Sequence, residues 1–184
     1  MHIAMHKPSF AVWITGLPAS GKSTLASALA QQIRKRGAPV TVLESDALRR
    51  VFSDRPTYDE QDRERFYTSM AFIGRILTEQ NVSVIFDATA SLRSYRDKAR
   101  RQIPHFVEVF VDSPLETCIR RDPKGIYRQA REGQAAHVPG VGAVYEPPEH
   151  PDVVVHGDRD NPDDAACQIA AVLIRKGLLP AELS

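Results

Sequence analysis

Cysteine is scarce in this chain of 184 residues, occurring only as Cys118 and Cys167. Two such widely separated thiols make neither a disulfide framework nor a metal-ligand spacing, so a reducing, cytoplasmic setting is expected. Long apolar runs are missing as well. None reaches the roughly 18 residues that a membrane span requires, so no membrane partner is expected. An excess of charge of either sign is also absent. Lys and Arg number 24 against 23 Asp and Glu, a net charge of +1. That balance excludes an acidic tail and a broad basic face for nucleic acid, while leaving room for a local basic site. The start carries His2, His6, Lys7 and Pro8 where a secretory leader would have its apolar stretch, so no leader is expected. No internal repeat or low-complexity tract is visible. What remains is ordinary: 42% hydrophobic and 26% charged residues. At this length that composition buries a core, and one domain over 1–184 is the expected organisation.

The apolar patterning alternates between two periods. Short runs at 10–14, 40–43, 82–86, 106–111 and 152–156 read as strands. Helical spacing appears at 22–36, where Leu25, Leu29 and Ile33 share a face and Gly37 and Pro39 end the pattern, and again at 59–79, 93–101, 115–121 and 163–176. Strands that alternate with helices, and that are apolar throughout, predict a parallel sheet covered on both faces. Trp13, Cys118 and Cys167 are expected in the core. From Gly125 to Pro151 the periodicity fades and proline and glycine accumulate. A long irregular excursion of this kind reads as a lid, here placed at about 121–150.

One motif decides the class of chemistry. Gly16, Leu17, Pro18, Ala19, Ser20, Gly21, Lys22 and Ser23 match G-x-x-x-x-G-K-[ST] between a predicted strand and a predicted helix. The glycines allow a tight turn and a close approach of backbone to phosphate. The loop N–H groups and the start of the helix, including Thr24, then face the anion. Lys22 places its charge on the outer phosphates and Ser23 offers an oxygen to Mg²⁺. ATP with Mg²⁺ is the expected ligand pair. The expected fold is an α/β three-layer sandwich of the P-loop NTPase type, with a five-stranded, mainly parallel sheet, helices on both faces and a lid. Its small size suits a small-molecule kinase, in which a lid keeps water from the transferred phosphoryl group.

Acidic and basic groups cluster after the strands. Asp46 follows the second strand, at the sheet edge where sites of open α/β folds lie. It can link to Mg²⁺, accept the proton of an acceptor hydroxyl, or cap a helix starting at Ala47. Asp87 follows the third strand and is a second candidate for metal or acceptor contact. Glu44 reads as a surface charge. Arg49, Arg63, Arg93 and Arg96 offer planar donors for an anionic acceptor. Arg120, Arg121, Lys124, Arg128 and Arg131 surround the start of the lid. Tyr58 has two readings, stacking on a base or ordinary packing in a loop.

With those residues in view, the chain resembles the adenylylsulfate kinases from about Phe10 to Pro162. The specific stretches are 106–118, then Arg121, Asp122, Pro123, Lys124, Gly125, Ile126 and Tyr127, then Tyr145, Glu146, Pro147 and Pro148. The resemblance implies MgATP-dependent phosphorylation of the 3′-hydroxyl of adenosine 5′-phosphosulfate (APS), giving PAPS, within sulfate assimilation. It implies Asp46 as the acid/base or metal-linked carboxylate, Arg49 and Arg63 on the phosphosulfate, and Lys124 in the lid over the acceptor. Catalytic duty thus falls to Lys22, Asp46 and Asp87, acceptor contact to Asp46, Arg49, Tyr58, Arg63, Thr89 and Lys124, and metal contact to Ser23 and Asp46. Departures lie on the acceptor side. Phe66 stands near a family Asn, Ala90 where the family has a serine that can be phosphorylated, and Val138 where it has a stacking Phe. Phe86, Asp87, Ala88 and Thr89 resemble instead the strand end of polynucleotide kinase-like enzymes.

Three readings stay open on the sequence: an APS kinase; a kinase of the same fold with another nucleotide or small hydroxyl acceptor, polynucleotide ends included; and a nucleotide-binding module without activity. The near-neutral charge gives no extended phosphate track for nucleic acid. A homodimer is left open.

Overall fold

The computed structural model describes residues 7–53 and 56–181. The start at 1–6, on which the expectation of no leader mainly rests, lies outside the described residues. Strands β1 (Ala11–Thr15), β2 (Val40–Glu44), β3 (Ser83–Asp87), β4 (Phe106–Asp112) and β5 (Val153–His156) form one sheet in the order β2-β3-β1-β4-β5. Every pairing is parallel, so "mainly parallel" becomes wholly parallel among the described residues. All five carboxyl ends therefore open on one edge.

Alternation along the strands separates two cores. Val12, Ile14, Ile85, Val107, Val109 and Val111 face helices α1 (Lys22–Arg34) and α7 (Pro162–Arg175). Trp13, Val84 and Phe86 face α3 (Glu60–Glu79) and α4 (Arg93–Gln102). The period-two geometry of a strand forces this split. Trp13 stacks on its register neighbour Phe86 at 4.4 Å, and its indole N–H donates to the Ala88 carbonyl at 3.1 Å. On the same side, Arg96 is 1% exposed and donates to Glu108 at 2.7 Å, the Ala90 carbonyl at 2.6 Å and the Glu146 carbonyl at 2.8 Å. A charge this deep is tolerable only because its donors are met.

Helices α2 (Ser45–Phe52), α5 (Leu115–Arg121) and α6 (Ile126–Arg131) complete the order. Two expectations change. Helix α6 lies inside the stretch expected to be irregular; Asp122 accepts the Tyr127 and Arg128 N–H groups at 3.2 and 2.9 Å, and so starts a helix too short to show a period. Cys118 is buried but Cys167 is exposed, because Ala165, Ala166, Ile169, Ala170 and Leu173 fill the inward stripe of α7 and position 167 falls outside it.

Candidate active site

The carboxyl edge of the sheet opens onto a cavity of about 1490 Å³. The loop after β1 forms its floor. Gly16 has φ +153°, and a Cβ there would lie 2.5 Å from the Val111 carbonyl oxygen, so a side chain would block the exit from the strand. Gly21 (φ 108°) is the N-cap of α1 and has no side chain to accept from it, which leaves the helix's first N–H groups as an anion-binding end. Behind the loop, Gly157 packs so closely that a Cβ would meet the Ser20 carbonyl oxygen at 2.1 Å.

Lys22 is 8% exposed and donates to the carbonyls of Gly16 at 3.1 Å and Leu17 at 2.8 Å. Burial lowers its pKa from 10.5 to about 8, while the Asp87 and Asp46 carboxylates oppose the drop. Pro18, Ala19, Gly21, Lys22, Ser23 and Thr24 line the cavity. Gly16, Leu17 and Ser20 are not among its lining residues. Leu17 packs with a satellite core around Cys118, Tyr127 and Val138, and Ser20 is fully buried.

The two carboxylates stand on the neighbouring strand ends. Asp87 closes β3, is 4% exposed, and lies in register with Ile14 and Glu44. Asp46 sits in the first turn of α2. The helix begins at Ser45 with Glu44 as its N-cap, so Asp46 is not the cap that the sequence allowed; its charge favours the helix start through the dipole instead. Lys124 donates to Asp46 from the strap that follows α5. That hydrogen bond raises the lysine's pKa, against a smaller opposing effect of burial.

Three residues on from Asp46 in α2, Arg49 is 6% exposed and pairs with Asp62 at 2.9 Å. Its guanidinium lies 3.9 Å from the Phe66 ring centroid, 4.9 Å from Tyr58 and 5.7 Å from Tyr67. Phe66 thus serves as a wall of the arginine's cage rather than a polar contact. Arg63 ties together three segments, donating to the Tyr58 carbonyl, the Ser91 hydroxyl and the His137 carbonyl. Tyr58 is half exposed with φ 58° and lines the cavity, as does Thr89, whose carbonyl accepts from Thr15.

Some candidates fall elsewhere. Arg96 belongs to the buried network described above, and Arg93 pairs with Glu146 and Glu149 on the far side of the strap. Of the basic cluster near the strap only Arg121 and Lys124 line the cavity. Val138 lines the cavity but is only 6% exposed, its side chain packed in the satellite core. Sequence reading missed Asp158, Arg159 and Asp160, which line the cavity from the loop after β5. The strand-end rule that found Asp46 and Asp87 applies to them equally.

The chain matches the adenylylsulphate kinase family over residues 8–156. It belongs to that family. It is 43% identical over 150 residues to an adenylyl-sulfate kinase of Synechococcus sp. (strain JA-2-3B'a(2-13)), covering 82% of this chain and 86% of the relative. A second relative, from Gloeothece citriformis, is 35% identical over 175 residues, covering 95% and 99%. Among solved structures, the APS kinase CysC of Mycobacterium tuberculosis in complex with AMPPNP and APS superposes with a TM-score of 0.85 at 32% identity, over 91% of this chain and 99% of that one.

The donor set also bears on a metal. Ser23, Asp46 and Asp87 bring oxygen ligands to the cavity wall, and no group of three or more His, Cys, Asp or Glu among the described residues could hold an ion. Oxygen donors that need phosphate to complete the shell fit Mg²⁺, which is commonly held by one or two carboxylates, nucleotide phosphates and water. Among the described residues no helix is long and apolar enough to cross a membrane.

Proposed function

We propose that this chain transfers the γ-phosphate of ATP to the 3′-hydroxyl of APS. The observation that carries the reading is that Lys22, Asp46, Asp87, Arg49 and Arg63 line one cavity, drawn there from α1, α2, α3 and β3, in a chain of the adenylylsulphate kinase family.

The phosphates of ATP rest on the loop N–H groups and the start of α1. Lys22 gives up its carbonyl partners for the outer phosphate oxygens, and buried Asp87 helps to keep it cationic before they arrive. The anionic end of the acceptor faces Arg49 and Arg63. Arg49 is held flat by its aromatic cage and by Asp62, so little side-chain entropy is lost on binding. The exposed ring of Tyr58 stacks on the acceptor's base, and Thr89 supplies the wall between base and hydroxyl. Asp46 accepts the proton of the 3′-hydroxyl; that oxygen attacks the γ-phosphorus, the bond to the bridging oxygen breaks, and ADP leaves. Lys124, paired with Asp46 beforehand, moves to the transferred phosphoryl group and frees the carboxylate. Mg²⁺, held by Ser23 and by Asp46 together with phosphate oxygens, would neutralise charge on the transferred group. The segment 121–150 acts as the lid, with residues 134–139 covering the cavity and excluding water.

The test is ADP release with an acceptor panel: APS, AMP, an RNA 5′-end, and a hydroxy acid or sugar. Strong stimulation by micromolar APS alone supports the reading. Equal or greater stimulation by another acceptor refutes APS as substrate, and stimulation by none refutes the kinase reading.

A further inference from the structure

The satellite core beneath the lid is built partly from the phosphate loop itself. Leu17 and Ala19 pack against the cluster of Cys118, Tyr127 and Val138. Tyr127 is 1% exposed, and its hydroxyl donates to the Pro18 carbonyl at 3.0 Å. Asp122, by accepting the Tyr127 backbone N–H, fixes the residue from which that hydroxyl reaches. Burial raises the phenol's pKa well above its ordinary value, so it remains a donor at any working pH. The Tyr127 hydroxyl thus has no role in the mechanism above, yet it touches the middle of the phosphate loop.

What it touches is the central peptide of a turn. The Ser20 N–H donates to the Leu17 carbonyl at 3.2 Å, Pro18 occupies the second position, and Ala19 in the third has φ 61°. This is the type II arrangement, which favours glycine at the third position. The type I form differs by a rotation of about 150–170° of the central peptide, and it would return Ala19 to the negative φ that a residue with a Cβ prefers. The two forms differ in what they show an anion. No peptide among the described residues is cis, so the Pro18 carbonyl and the Ala19 N–H point in opposite directions. With the carbonyl bonded to Tyr127 in the satellite core, the Ala19 N–H faces away from that core, on the side where Pro18 and Ala19 line the cavity. The rotated form would turn a carbonyl oxygen toward the phosphates instead.

We propose that Tyr127 is a positioning residue for ATP: its hydroxyl holds the Pro18–Ala19 peptide in the strained orientation that presents an N–H to the nucleotide. The proposal rests on the reading of this loop as an ATP site, not on the identity of the acceptor. It also means that the α6 end of the strap is fastened to the phosphate loop, so that lid motion is carried by the segment beyond it.

The test is equilibrium binding of AMPPNP, which needs neither acceptor nor turnover. Y127F keeps the ring and its packing, and its melting midpoint should fall by only a few degrees. Its AMPPNP affinity should fall about fivefold, the usual worth of one hydrogen bond, while the acceptor KM stays unchanged. Y145F, which loses a half-buried hydroxyl contact to Thr15 at the other end of the strap, should bind AMPPNP like the wild type. The decisive arm is A19G/Y127F. Glycine takes positive φ without strain, so the double variant should recover most of the lost affinity. Undiminished binding by Y127F, equal losses in Y127F and Y145F, or no recovery with glycine at position 19 would overturn the proposal. Should Y127F fail to fold, A19G/Y127F compared with A19G alone reads the same coupling, and equal affinities there support it while a fivefold gap contradicts it. Failure of the wild type to bind AMPPNP would instead refute the ATP site itself.

Discussion

Raising the pH should loosen ATP from this protein through a single group. Lys22 is buried against the phosphate loop, and burial brings its pKa from 10.5 down to about 8. Below pH 8 the free protein already carries the charge that the phosphates need. Above it, each ATP bound must bring a proton to Lys22, because the anion holds the lysine charged. Linkage then weakens binding by up to tenfold per pH unit, or about 16-fold between pH 8 and 9.5. Calorimetric titration with AMPPNP at fixed ionic strength gives the profile, and Lys22→Met should bind weakly at every pH. The same group acts on stability with a defined sign. Its folded pKa lies below its unfolded one, so between about pH 8 and 10.5 the unfolded chain holds more protons, and the folded state gains as pH rises. The full window is worth about 3 kcal/mol. Wild type should therefore gain on Lys22→Met in stability as pH climbs through that range. Flat AMPPNP affinity from pH 7 to 9.5 in the wild type would refute the assignment of Lys22 as a titrating phosphate ligand.

Other perturbations separate the parts of the site. Asp46→Asn should lower kcat by two to three orders of magnitude, on the order expected for a lost general base, with AMPPNP affinity changed far less; near-normal turnover would move the proton acceptor to Asp87. Phe66→Leu removes the ring against Arg49 while keeping apolar volume, and should raise the acceptor KM by about tenfold at most, leaving ATP affinity alone; an unchanged acceptor KM would show that the cage does not orient the arginine. Arg96→Met leaves Glu108, 6% exposed, with Arg100 as its remaining guanidinium partner and the Ala90 and Glu146 carbonyls without their donor, a loss of about 1 to 3 kcal/mol; a melting midpoint within a degree of wild type would contradict the buried network.

Much of this was legible because it depends on local rules. The glycine–lysine loop between an apolar strand and an amphipathic helix can adopt few shapes, and parallel strands carry their following residues to one edge. That is why Asp46 and Asp87 could be named from their positions, whereas Arg49 and Lys124 are singled out from similar basic residues by the resemblance to the adenylylsulfate kinases. What escaped depends on tertiary partners. Arg96 and Arg63 look alike as helix arginines, and only the approach of Glu108, Ser91 and His137 gives them different duties. Helix α6 is shorter than two turns, so its inward face of Ile126, Tyr127 and Ala130 shows no period. The contact of Tyr127 with Pro18 spans a separation of 109 residues, which no spacing rule reaches.

The central claim is tested most directly by following the label. ATP radiolabelled in its γ-phosphate is mixed with excess enzyme and APS in a single turnover, and the products are separated. The account predicts that label appears in a nucleotide carrying a 3′-phosphate beside the phosphosulfate, at the rate at which ATP disappears, and that Asp46→Asn slows both together. Label that remains in ATP, or emerges only as inorganic phosphate with APS intact, would contradict it.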